Sequence, residues 1–187
     1  ADWFGLPVPA EKRRYISLDA AREAMTLLKN KNNVLPLSKT AKVLVAGPSA
    51  QSIAALNGCW SYTWQGNQDQ WYPADSRTIY QAIAEKLGAA NVITTTGKGF
   101  DNKMNYDAAA LTAAAAGVDA IVLCIGENAY AESPGNTRDM ALPEEQAALA
   151  RAAAATGKPV IFVLTEGRPR FITSIEPLAQ GILMAYW

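Results

Sequence analysis

Short apolar runs alternate with alanine-rich segments along the 187 residues of this chain. The runs lack the apolar–polar alternation of a strand with one solvated face, as expected for strands that are covered on both faces. Runs of this kind, separated by helical segments, predict an α/β fold with a mostly parallel sheet and helices on both faces, a three-layer α/β/α sandwich. The predicted strands are Lys42–Gly47, Asn91–Thr95, Asp119–Ile125, Pro159–Thr165 and Gly181–Tyr186.

The segments between these runs are predicted to be helical. Ser17 is expected to cap the first helix. The apolar face of that helix would carry, at helical spacing, Leu18, Ala21, Met25 and Leu28. The other predicted helices, with approximate limits, are Ser49–Leu56, Asp75–Leu87, Asp107–Ala116, Pro143–Thr156 and Pro169–Leu178.

The two ends of the chain indicate a piece of a larger protein. Residues 1–16 contain Pro7 and Pro9 and are interpreted as a linker that arrives from a missing N-terminal domain. Residues 17–187 are interpreted as the α/β domain. Because Trp187 follows a core strand with no further helix, this domain is expected to be truncated and incomplete at its C-terminus.

The charge balance narrows the classes of partner. The chain has 17 Lys and Arg residues and 17 Asp and Glu residues, so its formal net charge is zero. This balance argues against nucleic acid and against an anionic membrane surface as the main partner. No apolar run reaches the roughly 18 residues that a membrane span needs. No secretion signal is visible, because the charges in residues 1–16 follow the apolar residues instead of preceding them.

The chain contains no histidine. Within this chain, that excludes Ser-His-Asp and Cys-His catalysis, histidine metal sites and histidine proton shuttles. A general acid must then be a carboxylic acid, a lysine, a tyrosine or a cysteine. Cys59 and Cys124 have no spacing typical of metal ligands, and no metal or other cofactor is expected.

Two glutamates follow the third predicted strand in the stretch 126-GENAYAESPGNTRD-139. In open α/β sheets, ligands bind beyond the carboxyl ends of the strands, so both side chains are candidates for chemistry. Glu127 directly follows the strand and is expected to accept hydrogen bonds that hold the loop in shape. Glu132 lies farther out, past Tyr130, and is better placed to donate a proton to a ligand. The alternative for either residue is a solvated loop carboxylate without a chemical role.

A second polar loop, 57-NGCWSYTWQGNQDQWYP-73, is called the aromatic loop here. Among its amide side chains it carries Trp60, Tyr62, Trp64, Trp71 and Tyr72. Tryptophans beside Asn and Gln are typical of sugar-binding surfaces, because an indole stacks on the C–H face of a pyranose and amides bind its hydroxyl groups. The alternative is that the rings pack the loop onto the domain or onto a neighbouring one. A third loop, 165-TEGRPR-170, follows the fourth predicted strand.

Several collinear stretches resemble a known family over most of the chain. They are 21-AREAMTLLKNKNNVLPL-37, 43-VLVAGPSA-50, 58-GCWSYTWQG-66, 126-GENAYAESPGNTRDMALPEEQ-146 and 158-KPVIFVLTEGRP-169. On these residues the chain resembles the second, α/β-sandwich domain of family three glycoside hydrolases. That family comprises β-glucosidases, exo-β-glucanases and β-xylosidases.

The resemblance implies roles for individual residues. In the family, a TIM-like barrel carries an aspartate nucleophile, and the second domain supplies the general acid/base glutamate. That glutamate is the second one of a G-E-x-x-Y-x-E pattern, which here is Glu132, with Glu127 as its companion and as the alternative acid. The second tryptophan of W-x-x-x-W-Q-G, here Trp64, corresponds to a ring that clamps the sugar. Trp60 and Tyr130 join it as candidate substrate contacts.

The implied activity is that of a retaining exo-acting β-glycosidase, of β-glucosidase type, on a β-linked oligosaccharide or glucoside. Retention needs two carboxyl groups about 5–5.5 Å apart. This chain is expected to hold only the acid/base, with the nucleophile upstream in the missing barrel. A periplasmic or secreted location is expected by resemblance. Two departures from the family are Glu166, where a small residue or an amide is usual, and the absence of the Pro-Ser-Gly-rich C-terminal stretch.

Two other functions remain open at this point. One is a non-catalytic carbohydrate-binding or interaction module that has kept the same fold. The other is a flavodoxin-like small-molecule binder, which fits the strand–helix pattern but none of the loop motifs. That alternative would be favoured if the aromatic loop packed inward and a phosphate bound at Gly47-Pro48-Ser49.

Overall fold

A computed structural model describes residues 9–95, 100 and 108–186. Its strands form one six-stranded sheet in the order β1-β6-β5-β4-β2-β3. All neighbouring strands are parallel except β1, which runs antiparallel to β6. The strands are β1 (Thr26–Asn30), β2 (Val43–Ala46), β3 (Val92–Thr94), β4 (Ala120–Gly126), β5 (Val160–Thr165) and β6 (Gly181–Met184). The five predicted strands and their parallel arrangement are therefore confirmed.

The described helices are α1 (Ala10–Ala24), α2 (Ile79–Leu87), α3 (Ala108–Ala115) and α4 (Glu144–Ala155). Helices α3 and α4 cover one face of the sheet and α2 covers the other, whereas the described side chains of α1 are exposed. One apolar cluster combines Leu111 of α3 and Leu149 of α4 with Phe162 of β5. A second cluster combines Val45 of β2 and Val122 of β4 with the apolar side of α2. The predicted three-layer sandwich is confirmed. Within the described residues, no helix is both long and apolar enough to cross a bilayer.

The beginning of the chain differs from the prediction. Helix α1 starts at Ala10, with Pro9 at its N-cap, and not after Ser17. Residues 10–16 are thus helical, while residues 1–8 lie outside the described part. The helix ends at Ala24, and its described side chains are exposed, so no apolar face packs onto the domain. The division of the chain at residue 17 stays a prediction.

Strand β1 was predicted as the end of the first helix, with Leu28 on its apolar face, and that was wrong. Thr26–Asn30 pairs instead with the edge of β6. Lys29 Nζ then binds Glu176, lying 2.6 Å from Oε1 and 2.9 Å from the carbonyl oxygen. Long-range pairing has overridden a local helical spacing, as tertiary contacts commonly do.

Two other predicted helices are absent among the described residues, and side chains explain why. In Ser49–Leu56 only Ala54–Leu56 forms a 3-10 turn, because Asp69 Oδ1 accepts a 2.7 Å hydrogen bond from Ala54 N, and Ser52 Oγ accepts one from Ala55 N. Such local acceptors compete with the helical ladder.

In the predicted helix Pro169–Leu178, only Glu176–Leu178 is a 3-10 turn. The N–H of Arg170 is bound by Glu166, and the N–H of Phe171 donates to Met140 O at 2.8 Å. These donors are therefore unavailable to a helix.

The remaining helices were predicted in the right places but not with the right ends. Helix α2 begins later than predicted, at Ile79, because Thr78 and Gln81 form a reciprocal capping box. Helix α3 is described from Ala108 onwards, so its predicted first residue, Asp107, lies outside the described part. Trp187 also lies outside it.

Candidate active site

The carboxyl ends of β2, β4 and β5 lie side by side at one edge of the sheet. The residues that leave β2 and β4 there pass close to the backbone of the adjacent strand. Gly47 leaves β2 with φ +106°, and a Cβ at this position would collide with the carbonyl oxygen of Cys124. Gly126 ends β4 with φ +144°, and a Cβ there would collide with the carbonyl oxygen of Thr165. Only glycine fits both the conformation and the space at these two exits. The glutamate loop, residues 126–139 with Glu127 and Glu132, therefore starts from a fixed point.

Two glutamine amides fasten the first half of the glutamate loop, one at Gly126 and the other at Ala131. Gln146 of α4, which is 1% exposed, accepts from Gly126 N at 2.8 Å and donates to Gly126 O at 2.9 Å. Gln65 of the aromatic loop does the same for Ala131, accepting from its N at 2.9 Å and donating to its O at 3.2 Å. The segment between these two points is thus held at both ends by paired hydrogen bonds.

Glu127 is buried and engaged in internal contacts. It is 5% exposed. Its Oε1 accepts from Arg170 Nε at 2.8 Å and lies 2.6 Å from Arg170 Nη2. Arg168 Nε lies 3.2 Å from the same oxygen, and the Tyr130 hydroxyl donates to Oε2 at 3.3 Å. The carboxylate thereby joins the loops after β4 and β5.

Tyr130 is packed inside the glutamate loop. The guanidinium of Arg168 stacks on its ring, 4.1 Å from the centroid, and also donates to the carbonyl of Gly135. A Cβ at Gly135 would strike the same ring. Burial raises the pKa of the Tyr130 phenol, and the Glu127 carboxylate adds to this rise, while Arg168 opposes it. The ring is a structural support of the loop in this arrangement.

Glu132 differs from Glu127 in every respect that matters for a ligand. Its side chain is exposed and has no partner in the described part of the chain. Its backbone, by contrast, is fixed: φ is +54° and ψ is −139°, a region that non-glycine residues seldom occupy. The Glu132 carbonyl accepts from Gly135 N at 2.9 Å, closing the 3-10 turn Ser133–Gly135. A free carboxylate thus stands on a fixed backbone.

Glu166 directly follows β5 and is 1% exposed. Its Oε2 accepts from Arg170 N at 3.1 Å, whereas its Oε1 has no hydrogen-bonding partner among the residues that the structure describes. Burial raises the pKa of this carboxyl to about 7, and nearby Glu127 adds to the rise, while the Arg170 hydrogen bond and charge act against it. Glu166 therefore holds its proton far more readily than an ordinary glutamate.

The aromatic loop keeps most of its large rings in solvent. Trp60 is 66% exposed and Trp64 is 47% exposed. The backbone N–H of Trp60 donates to the backbone carbonyl of Trp64 at 3.1 Å. Tyr72 anchors the loop from inside, since its hydroxyl donates to Gly66 O at 2.9 Å and its ring meets Tyr62 edge-on at 5.1 Å. The loop does not pack inward as a whole, so the packing that would have favoured a flavodoxin-like binder is not observed.

Comparison with known proteins identifies the family. Residues 25–187 match the family described as the glycosyl hydrolase family 3 C-terminal domain. The chain belongs to this family. The resemblance drawn from the sequence motifs is therefore confirmed.

Relatives of this family 3 domain are named glycosidases. The chain is 36% identical over 175 residues to a lysosomal beta glucosidase of Dictyostelium discoideum, covering 89% of this chain and 21% of that protein. It is 30% identical over 184 residues to a periplasmic beta-glucosidase of Salmonella typhimurium, covering 90% and 24%. Other relatives are named β-xylosidases. The chain spans about a fifth to a quarter of the length of the first two relatives.

A solved structure shares the fold. The crystal structure of a beta-glucosidase from Listeria innocua in complex with glucose superposes with a TM-score of 0.75 at 27% identity, over 96% of this chain and 23% of that chain.

The family 3 domain brings some of the sequence-predicted site residues together and leaves others apart. Glu127 and Tyr130 lie in direct contact, and both line an open pocket of about 230 Å³ together with Arg168. Of the described residues, neither Glu132 nor any tryptophan lines that pocket. Trp64 directly precedes Gln65, whose side chain binds the glutamate loop at Ala131.

Sequence reasoning did not find four residues that organise this edge. Arg168, Arg170 and Gln146 bind partners 20 to 43 residues away, and Gln65 binds one 66 residues away. The available signal was the pair of arginines directly after a buried strand in 165-TEGRPR-170. Buried carboxylates need such cationic partners, so this pair indicated that a buried carboxylate lies nearby, without indicating which one.

Proposed function

We propose that this chain is the acid/base-supplying domain of a retaining exo-acting β-glycosidase of β-glucosidase type, with Glu132 as the general acid/base. The observation that carries the proposal is the free, exposed carboxylate of Glu132 on a fixed backbone. At the same edge, Glu127 is held by two arginines and Glu166 is buried. Neither of them has an exposed carboxylate to offer a glycosidic oxygen.

The second carboxylate of a retaining mechanism comes from another part of the polypeptide in this proposal. The relatives are about four to five times as long as the matched region, which leaves ample room for a further domain. We propose an N-terminal TIM-like barrel that carries an aspartate nucleophile. The Glu132 loop then leans over the barrel mouth, where the two carboxyl groups meet across the sugar.

The reaction proceeds in two steps. The barrel aspartate attacks the anomeric carbon while Glu132 gives its proton to the departing glycosidic oxygen. Glu132, now ionised, removes a proton from water, which attacks the glycosyl-enzyme and releases the sugar with retained configuration. One residue serves as acid and then as base, so its carboxylate must be free to exchange protons with a ligand.

The proposed substrate is a β-linked oligosaccharide or glucoside, cleaved from its terminal residue. The names of the relatives support glucose or xylose as the terminal sugar. Trp64, with Trp60 and Tyr130 as further candidates, is proposed to contact the sugar. The periplasmic and lysosomal relatives support a location outside the cytosol for the protein that carries this chain.

The proposal is tested by comparing the isolated chain with the intact protein on an aryl β-glucoside and an aryl β-xyloside. The isolated chain should give no turnover, because it lacks a nucleophile beside Glu132, and the intact protein should be active. Turnover by the isolated chain with its own pH optimum would overturn the split site. An inactive intact protein whose domain binds oligosaccharide would favour the binding module, which the exposed tryptophans also suit.

Replacing Trp64 with alanine in the intact enzyme should lower kcat/KM for oligosaccharides by about 5- to 150-fold, or about 1–3 kcal/mol, as expected for a lost aromatic anchor. The reason is position, since Trp64 adjoins Gln65, which binds the glutamate loop.

Trp71→Ala is the matched control for Trp64→Ala. Trp71 lies in the same loop and is 58% exposed, but its indole N–H binds Gln68. A larger loss for Trp71→Ala or Trp60→Ala than for Trp64→Ala, measured with the same oligosaccharide, would reassign the sugar contact.

A further inference from the structure

One amide side chain joins the two loops that the proposed function needs. Gln65 Oε1 accepts from Ala131 N at 2.9 Å, and its Nε2 donates to Ala131 O at 3.2 Å. The two bonds close a ring between a side-chain amide and the backbone of one residue. Ala131 is 3% exposed and directly precedes Glu132.

These two bonds fix both peptide groups that flank Ala131. Its N–H belongs to the peptide shared with Tyr130, and its carbonyl belongs to the peptide shared with Glu132. Because a peptide group is planar, holding the second one sets the direction in which the Glu132 backbone begins. The Glu132 carbonyl is held on its other side by Gly135 N at 2.9 Å. The seldom-occupied backbone conformation of Glu132 is thus held on both sides.

We infer that Gln65 is a positioning residue for Glu132. Its paired hydrogen bonds to Ala131 orient the acid/base carboxylate and couple that orientation to the position of the loop that carries Trp64. This inference rests on the proposed function of Glu132. Trp64 and Gln65 are adjacent in sequence, so the hydrogen bonds of Gln65 link the proposed sugar contact, Trp64, to the proposed proton donor, Glu132. Movement of the aromatic loop would shift both together.

The aromatic loop has other anchors, so it is expected to stay folded without Gln65. Asp69 Oδ1 accepts from Ala54 N at 2.7 Å, and the Tyr72 hydroxyl donates to Gly66 O at 2.9 Å. Gln146 provides a contrast, because it makes the same kind of paired bond to Gly126 but is 1% exposed beneath the sheet edge. Replacing Gln146 should lower the stability of the fold, whereas replacing Gln65 should change the orientation of the Glu132 carboxylate.

The test uses Gln65→Met in the intact enzyme, which keeps the length of the side chain and removes both hydrogen bonds. For glycosides with a sugar leaving group, kcat/KM should fall about 10- to 100-fold, since small misplacements of a catalytic group have effects of this size. The burst of glycosyl-enzyme from an activated aryl glycoside should change less than about 3-fold, because that leaving group needs little proton transfer.

Gln70→Met is the matched control. Gln70 is exposed in the same loop, and its side chain donates to Gln68 Oε1, its one side-chain partner among the described residues. This change should therefore leave both reactions as they are. Gln65→Glu is the second variant: it keeps an acceptor for Ala131 N but puts an oxygen opposite Ala131 O. It should show the same dependence on the leaving group, and it decides the outcome if Gln65→Met does not fold.

Two results would overturn the inference and are distinguishable. If Gln65 variants lose activity equally for all leaving groups, or lose none, while Glu132→Ala is rescued by azide, Gln65 does not position the acid and the proposed function stands. If Glu132→Ala is not rescued by azide, Glu132 is not the acid/base, and both proposals fall together.

Discussion

Replacing Glu132 with alanine in the intact enzyme is expected to slow hydrolysis of disaccharides by about 10²- to 10⁴-fold, the usual contribution of general acid–base catalysis. A sugar leaving group needs a proton as its bond to the anomeric carbon breaks, and at this edge of the sheet Glu132 carries an exposed carboxyl group with no partner among the described residues. An activated aryl glycoside needs almost no proton transfer, because its phenol is a good leaving group. It should still form the glycosyl-enzyme, seen as a burst of phenol followed by slow turnover.

Azide should restore turnover of the Glu132→Ala enzyme. The second step needs a base to activate water, and azide needs no such activation because it is already an anionic nucleophile. The product should be a glycosyl azide in the β configuration, which can be identified by NMR. The leaving-group dependence and the azide product together report on the acid/base role, and a purely structural lesion would give neither.

Glu127→Ala is the comparison that separates the two glutamates. Its carboxylate binds Arg168, Arg170 and Tyr130, so its loss leaves two partly buried arginines without their anion. Activity should fall alike for all leaving groups, with no azide rescue. If azide rescued Glu127→Ala but not Glu132→Ala, Glu127 would be the general acid/base and Glu132 would not.

The strands of the sheet could be predicted from sequence because burial on both faces leaves a local signal. Five apolar runs were sufficient to place β2 to β6. Strand β1 could not be found this way, since Leu27 and Leu28 are exposed and the strand exists through its pairing with β6. Its identity depends on residues more than 150 positions away, at Gly181–Met184.

The candidate site was predictable in outline for a similar reason. Glu127 and Glu132 could be ranked by their distance from the end of β4, and the structure leaves one buried and the other exposed. The hydrogen bonds between loops could not be predicted. A single sequence gives no sign that Gln65 meets Ala131 or that Arg170 meets Glu127, because these pairs form only once the sheet brings its strand ends together.

Glu166 should make the stability of this domain depend on pH in the direction opposite to most carboxylates. Its pKa is raised from 4.5 to about 7 by burial. Between these values the folded state keeps a proton that the unfolded state has released, so the free energy of unfolding falls as pH rises. The slope approaches about 1.4 kcal/mol per pH unit, or about 3 kcal/mol across the window.

Glu166→Gln is expected to remove this slope. The amide keeps the shape of the protonated carboxyl group and an oxygen for Arg170 N, but it cannot ionise. Urea unfolding should give nearly equal stability for the two proteins at pH 5 and a variant more stable by up to about 3 kcal/mol at pH 8. Glu145→Gln, on the exposed first turn of α4, is the control for losing one surface carboxylate. A Glu166→Gln protein less stable than its parent at pH 8 would mean that the buried carboxylate is ionised and stabilised by Arg170, against the raised pKa.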